Sequence, residues 1–280
     1  MIPVEAVARQ GWHAALTLGY AASDGRTALV ERRHQGPLRV QKPLYPEGPH
    51  PCHTIVVHPP GGIVGGDALG LTLDLGAGAH ALLTTPGAAK WYRSAGATAR
   101  QTLHFTLAPA AVLEWLPQET LLFDAARAEL SSSIHLHADA LYLGWEILCF
   151  GRPASGERFT RGRVRTANEI WRDGKRLWNE HALLAGGDPL LDAAPGCARH
   201  PVCATLLVAG RDVDRTLLAQ LRAVTIDAVT AGISALPGVL VARCLAPFAQ
   251  HARNYFAALW QVLRPALLGC PALAPRIWST

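Results

Sequence analysis

An alternation of apolar and polar residues, restarted about every ten residues, governs the first two-thirds of this chain. Leu16, Leu18 and Tyr20 share one side of an extended segment; Leu71, Leu73 and Leu75 share another. Leu103, Phe105 and Leu107 repeat the pattern, as do Ile134 and Leu136. Successive side chains of a strand point to opposite faces, so each set lines one side of a sheet. Mostly apolar runs at 79–83 and 112–116 follow Gly76-Ala-Gly78 and Pro109. Many short strands at this spacing describe a sandwich, a barrel or a stacked β-coil. With 26 glycines and 20 prolines to supply turns, the chain is mainly β, and a helical bundle is disfavoured.

Two Asp-Gly pairs mark tight hairpins, because both residues tolerate the positive φ such turns need. Asp24-Gly25 precedes the strand at 27–32. Asp173-Gly174 joins Asn168-Glu-Ile-Trp-Arg172 to Lys175-Arg-Leu-Trp-Asn179, placing Trp171 opposite Arg176 and Glu169 opposite Trp178. Helical spacing appears only late. Asp214 is positioned to cap a helix reaching about Ala223, with Leu217, Leu218 and Leu221 on one face. A second helix is predicted from Pro247 toward Val262, ended by Arg264-Pro265.

Charge narrows the function classes. Half of the 280 residues are hydrophobic and 17% are charged, which excludes a disordered, solvating chain. Of 26 basic residues all but Lys42, Lys90 and Lys175 are arginines, and the net charge is +5. Residues 151–180 hold eight basic and four acidic side chains, so most of that excess is local. Arg161, Arg163 and Arg165 fall on one strand face without the aromatic interleaving of a nucleic-acid surface, so solvation or an acidic protein partner fits better. Six scattered cysteines form no framework, residues 1–9 lack a signal peptide's charge pattern, and the apolar run 238–248 is broken by Arg243 and Pro247. The expectation is a cytoplasmic protein without a membrane span.

The densest unusual segment is His58-Pro-Pro-Gly-Gly-Ile-Val-Gly-Gly-Asp67. It matches neither a P-loop nor a dinucleotide fingerprint, and its plain reading is a tight turn in which Asp67 caps backbone amides. His50, His53, His58 and Asp67 together offer an alternative, the ligands of a metal-dependent hydrolase. His135 and His137 share a strand face with Asp139; since Ile134 and Leu136 claim the core side, a solvated face is the simpler account. No nucleophile elbow is present. Glu114, Glu119, Asp124, Glu146 and Glu180 sit in apolar stretches, where a carboxylate needs a cation, a metal or water. Glu146, in Leu143-Gly-Trp-Glu-Ile-Leu-Cys-Phe150, is the most anomalous, because Leu148 shares its face.

Several long segments resemble the urease accessory protein UreD (UreH) family. They are Gly36-Pro-Leu-Arg-Val-Gln-Lys-Pro-Leu-Tyr45, the glycine-rich 58–67 segment, and Leu83-Thr-Thr-Pro-Gly-Ala-Ala-Lys-Trp-Tyr-Arg93. Leu113-Glu-Trp-Leu-Pro-Gln-Glu-Thr120 with Phe123-Asp124, and Gly144-Trp-Glu-Ile-Leu-Cys-Phe-Gly-Arg-Pro-Ala-Ser-Gly-Glu157, continue the match in order. The resemblance spans at least residues 12–187 and loosens beyond Asp188. It implies a single domain, 1–280, of helically stacked, β-helix-like strands with two helices near the C-terminus. It also implies a non-catalytic scaffold that binds apo-urease and UreF, with the GTPase UreG recruited through UreF. Ni(II) is then transient cargo on an internal, water-filled route, and no cofactor is permanently bound. Matching positions on that route are the carboxylates Asp67, Glu146 and Glu180 and the small polar Thr84 and Thr85. A carbohydrate-binding module is disfavoured, since no exposed aromatic ladder is apparent.

Overall fold

The computed structural model describes residues 11–279; the 1–9 stretch discussed above lies outside the described residues. Two sheets face each other, and the chain alternates between them. The first, seven-stranded sheet runs Lys175–Ala185, Arg163–Arg172, Arg127–Leu136, Ala99–Leu107, Ala68–Leu75, His13–Ser23, Arg26–Gln35. Its five inner strands are parallel, and an antiparallel hairpin strand closes each edge. In the second sheet Cys52–Val57, His80–Thr84, Val112–Trp115 and Leu141–Arg152 are also parallel neighbours. Each turn of chain thus lays one strand in each sheet, so the β-coil is the arrangement realised. Val202–Ala209, Val239–Ala246 and Thr230–Leu236 extend the second sheet antiparallel.

Two cores result. Leu16, Leu18, Leu71, Leu73, Phe105 and Ile134 fill the space between the sheets. Leu143, Trp145, Ile147, Leu206 and Ala242 on the far side of the second sheet pack against the helices Arg215–Arg222 and Ala249–Leu268. The second sheet is therefore covered on both faces, and its strands read as continuous apolar runs rather than alternations.

Local expectations hold with three corrections. Asp24 and Asp173 both adopt positive φ (50° and 48°), as do the glycines that follow. In the second hairpin Trp171 does oppose Arg176, but the register slips after Ile170, so Glu169 meets Asn179 and Ile170 meets Trp178. The extra residue is Leu177, and the bulge lets both Leu177 and Trp178 pack on the inter-sheet core. Asp214 caps its helix by accepting the Leu217 amide at 2.7 Å. The longer helix runs Ala249–Leu268, through Pro265 rather than ending there. Pro265 lies on the exposed side, while Arg264 before it is held by buried carboxylates, so one missing hydrogen bond does not stop the last turn. A one-turn helix, Pro189–Asp192, joins the two predicted ones. Among the described residues, no helix is long and apolar enough to cross a membrane.

Candidate functional site

The alternation of the Leu141–Arg152 strand sends Tyr142, Gly144, Glu146 and Leu148 toward the inter-sheet core. Glu146 is thereby placed inside the molecule. Thr205 stands beside it on Val202–Ala209, and Arg243 beside Thr205 on Val239–Ala246. The opposing sheet supplies a matching polar row, Ser132, Asn168 and Glu180, one residue from each of three adjacent strands. A cavity of about 340 Å³ opens between the rows. Glu146, Asn168, Thr205, Ser132 and Gln101 line its polar part; His58, Thr85, Gln118 and the exposed Lys90 line it toward the loops at 58–63 and 85–90.

Glu146 is enclosed by protein yet keeps accessible surface, because the surface it keeps faces the cavity. Burial, reinforced by the charge of Glu180 and opposed by a hydrogen bond from Asn168, pushes its carboxyl up to about 7. The Ser132 hydroxyl donates to Asn168 Oδ1 at 2.7 Å, which leaves the Asn168 amide hydrogens for Glu146. Glu180 takes a different partner, an ion pair with Arg243 at 2.5 Å that bridges the two sheets.

The five carboxylates in apolar stretches separate cleanly. Asp124 is held by Arg161 at 2.7 Å and by the Thr160 and Arg161 amides, which outweigh burial and keep it far below the usual carboxylate range. Glu119 pairs with Arg253 at 3.0 Å, and Glu180 with Arg243. Glu114 is fully buried but accepts from Trp260 Nε1 (2.6 Å), His80 Nε2 (2.8 Å) and Arg264 Nε (3.2 Å). Burial raises the Glu114 carboxyl, and His80 with Arg264 and Trp260 more than offsets that, leaving it below the ordinary value. Among the described residues Glu146 alone of the five has no cation.

The remaining expected route residues scatter. Thr85 lines the cavity, accepting the Gln118 amide at 2.9 Å. Thr84 points to the helical side of the second sheet, donating to the Leu116 carbonyl at 2.6 Å and accepting from Trp278 Nε1 at 2.8 Å. Asp67 accepts the Trp12 and Val64 amides at 2.8 and 2.9 Å, closing the glycine-rich turn as its plain reading anticipates. That turn needs its glycines: Gly66 has φ 98°, and a Cβ on Gly62 would overlap the Tyr92 ring. Asp67 does not itself line the cavity, but its neighbour His58 does, and burial lowers the His58 pKa against the opposing pull of Asp67.

The hydrolase ligands do not converge. His50 meets Thr27 at 2.8 Å, His53 meets Glu47 at 2.7 Å, and Asp67 is engaged by amides. His135 sits on the outer face of the seven-stranded sheet, stacked on Trp171 and hydrogen-bonded to Ser133, and His137 is exposed there. Arg161 precedes the Arg163–Arg172 strand and is turned to Asp124, so only Arg163 and Arg165 form the expected stripe. Sequence reasoning missed Asn168, Thr205 and Arg243. Arg243 had left a signal: it is the charge that interrupts an otherwise apolar run.

The model of the family described as UreD urease accessory protein matches residues 13–279. The chain is 51% identical over 273 residues to the urease accessory protein UreD of Azoarcus sp. (strain BH72), covering 98% of this chain and 96% of that protein. It is 52% identical to the urease accessory protein UreD of Dechloromonas aromatica over 273 residues, 96% of this chain and 95% of that one. Against the same protein of Pseudomonas aeruginosa the identity is 54% over 270 residues, with coverage of 96% and 95%.

Proposed function

This chain belongs to the UreD family of urease accessory proteins, and we propose that it acts there as a non-catalytic scaffold through which Ni(II) passes toward the urease apoprotein. The observation carrying this reading is Glu146: among the described residues, it is the one of the five carboxylates in apolar stretches without an arginine partner, and it faces a cavity. A buried carboxylate with no cation is costly unless water or a passing cation solvates it. A conduit also has to hold its ion weakly enough to release it, which suits single oxygens from Glu146, Thr205 and Thr85 spaced along a wall. Glu180, next to Asn168, continues that row, and Asp67 acts from beside it by shaping the loop that carries His58.

The scaffold works in the cytoplasm, holds no resident cofactor, and assembles with UreF, which brings in UreG, and with urease. Arg163 and Arg165, which have no acidic partner among the described residues, suit an acidic protein surface. The test is Glu146→Gln, assayed by the nickel content of urease matured in its presence. The variant is expected to fold and to co-purify with urease and UreF while nickel loading drops several-fold. Normal loading with this variant would end the conduit reading.

A further inference from the structure

The far end of the polar row already holds a cation. Arg243 projects from Val239–Ala246 into the inter-sheet space, in line with Thr205 and Glu146, and its guanidinium reaches across to Glu180 on the edge strand of the other sheet. It lies 5.9 Å from the centre of the Trp178 ring. The side chain is 52% exposed and that of Glu180 25% exposed, so the pair stands where the gap between the sheets meets solvent. On the other side of Arg243, Gly232 leaves open space: beyond its chain neighbours, no atom of the described residues lies within 4 Å of where a Cβ would be.

Resting on the conduit reading, we infer that Arg243 is a displaceable internal counter-ion that gates the Glu180 end of the route: a divalent cation gains Glu180 only by exchanging with the guanidinium. The burial of the pair argues for displaceability. Arg264 is fully buried and held by two carboxylates, so it cannot leave without stranding charge. Arg243 has one carboxylate and half its surface in water, where an ion pair is screened and weak. The open space beside Gly232 gives the long side chain somewhere to go. Such an exchange balances charge in steps and keeps the cation from settling, since the arginine competes for the oxygen the metal leaves.

Arg243→Met tests this, with Ni²⁺ alone as the probe and equilibrium dialysis of the full-length protein as the readout. Removing the competing charge is expected to raise Ni²⁺ affinity about five-fold, the size of a weak ion pair. Arg243→Lys, which keeps the charge, restores an affinity close to that of the unaltered protein. A purely structural staple would instead lower the unfolding midpoint and leave Ni²⁺ affinity untouched, and that result overturns the gate. Should the methionine variant fail to fold, Arg243→Gln removes the charge with a polar side chain and answers the same question. Failure of the conduit reading is distinct: unaltered protein and Glu146→Gln would then take up Ni²⁺ equally.

Discussion

Glu114 and Glu146 sit on neighbouring parallel strands of one sheet, and the sheet turns them to opposite faces. Glu114, opposite Leu143, points into the layer beneath the long helix; Glu146, three residues beyond Leu143, points between the sheets. The first is surrounded by Trp260, His80 and Arg264, and Arg264 in turn binds Glu47, itself bonded to His53. The second has an asparagine, a threonine and a cavity. Two carboxylates set in apolar stretches of the sequence thus divide into one that fastens a helix to a sheet and one whose charge is left for something else to meet. What separates them is the presence of a cation, not depth.

The largest effect that bears on this contrast comes from removing the fixed cation. Arg264→Met leaves Glu114 and Glu47 buried without the guanidinium they share, and breaking a buried pair from one side costs about 3–5 kcal/mol. Urea unfolding monitored by far-UV circular dichroism is the measurement. A loss below ~1 kcal/mol would mean that the Glu114 network is no more structural than the half-exposed Glu180–Arg243 pair.

Next in size is the pH dependence contributed by Glu146. Its carboxyl is raised from 4.5 to about 7 in the folded protein. The folded state therefore keeps a proton that the unfolded chain releases, and stability falls as pH rises from about 4.5 through about 7. The fall amounts to ~1–3 kcal/mol, with cavity water pulling it toward the lower figure. Glu47 and Glu114, whose pKa values are lowered, act in the opposite sense: their stabilisation is present above the ordinary carboxylate range and is lost as pH falls below it. Glu146→Gln should remove the decline between pH 5 and 7 and keep the acid-side loss. An unchanged profile in that window would show that Glu146 is already ionised and compensated.

How far the contrast was legible in the sequence follows from sheet coverage. The seven-stranded sheet has one solvated face, so Leu16, Leu18 and Tyr20, or Leu71, Leu73 and Leu75, alternate plainly and announce strands. The second sheet is buried on both faces, and Leu141–Arg152 reads as one apolar run with a single carboxylate in it. That made Glu146 conspicuous, yet its neighbours Asn168 and Thr205 come from strands 22 and 59 residues further along and carry no local mark. Four arginines that neutralise the other carboxylates lie 37, 63, 134 and 150 residues away in sequence from them, so pairing was unreadable without the fold. The bulge at Leu177 was hidden for a similar reason: it serves packing against the opposite sheet, not the turn that sets the hairpin.

The smallest effect separates two adjacent threonines. Thr84 and Thr85 are neighbours in a motif shared with the UreD family, but the strand turns Thr84 to the helical side, while Thr85 follows the strand end into the cavity wall. Thr84→Val loses the bond to the Leu116 carbonyl and leaves the Trp278 indole without its acceptor, a cost of about 1–2 kcal/mol. It removes no oxygen from the cavity, so nickel loading of urease should be unchanged once the variant is folded. Thr85 is half-buried, and its hydroxyl serves a backbone amide at 2.9 Å beside the cavity. Thr85→Val therefore costs under ~1 kcal/mol but takes an oxygen from the wall. Thermal unfolding and urease nickel content, measured on both variants, should move in opposite order. If Thr84→Val lowers nickel loading more than Thr85→Val at equal folded concentration, the cation travels on the helical side of the second sheet, the side of Glu114, and the roles assigned to the two buried glutamates are reversed.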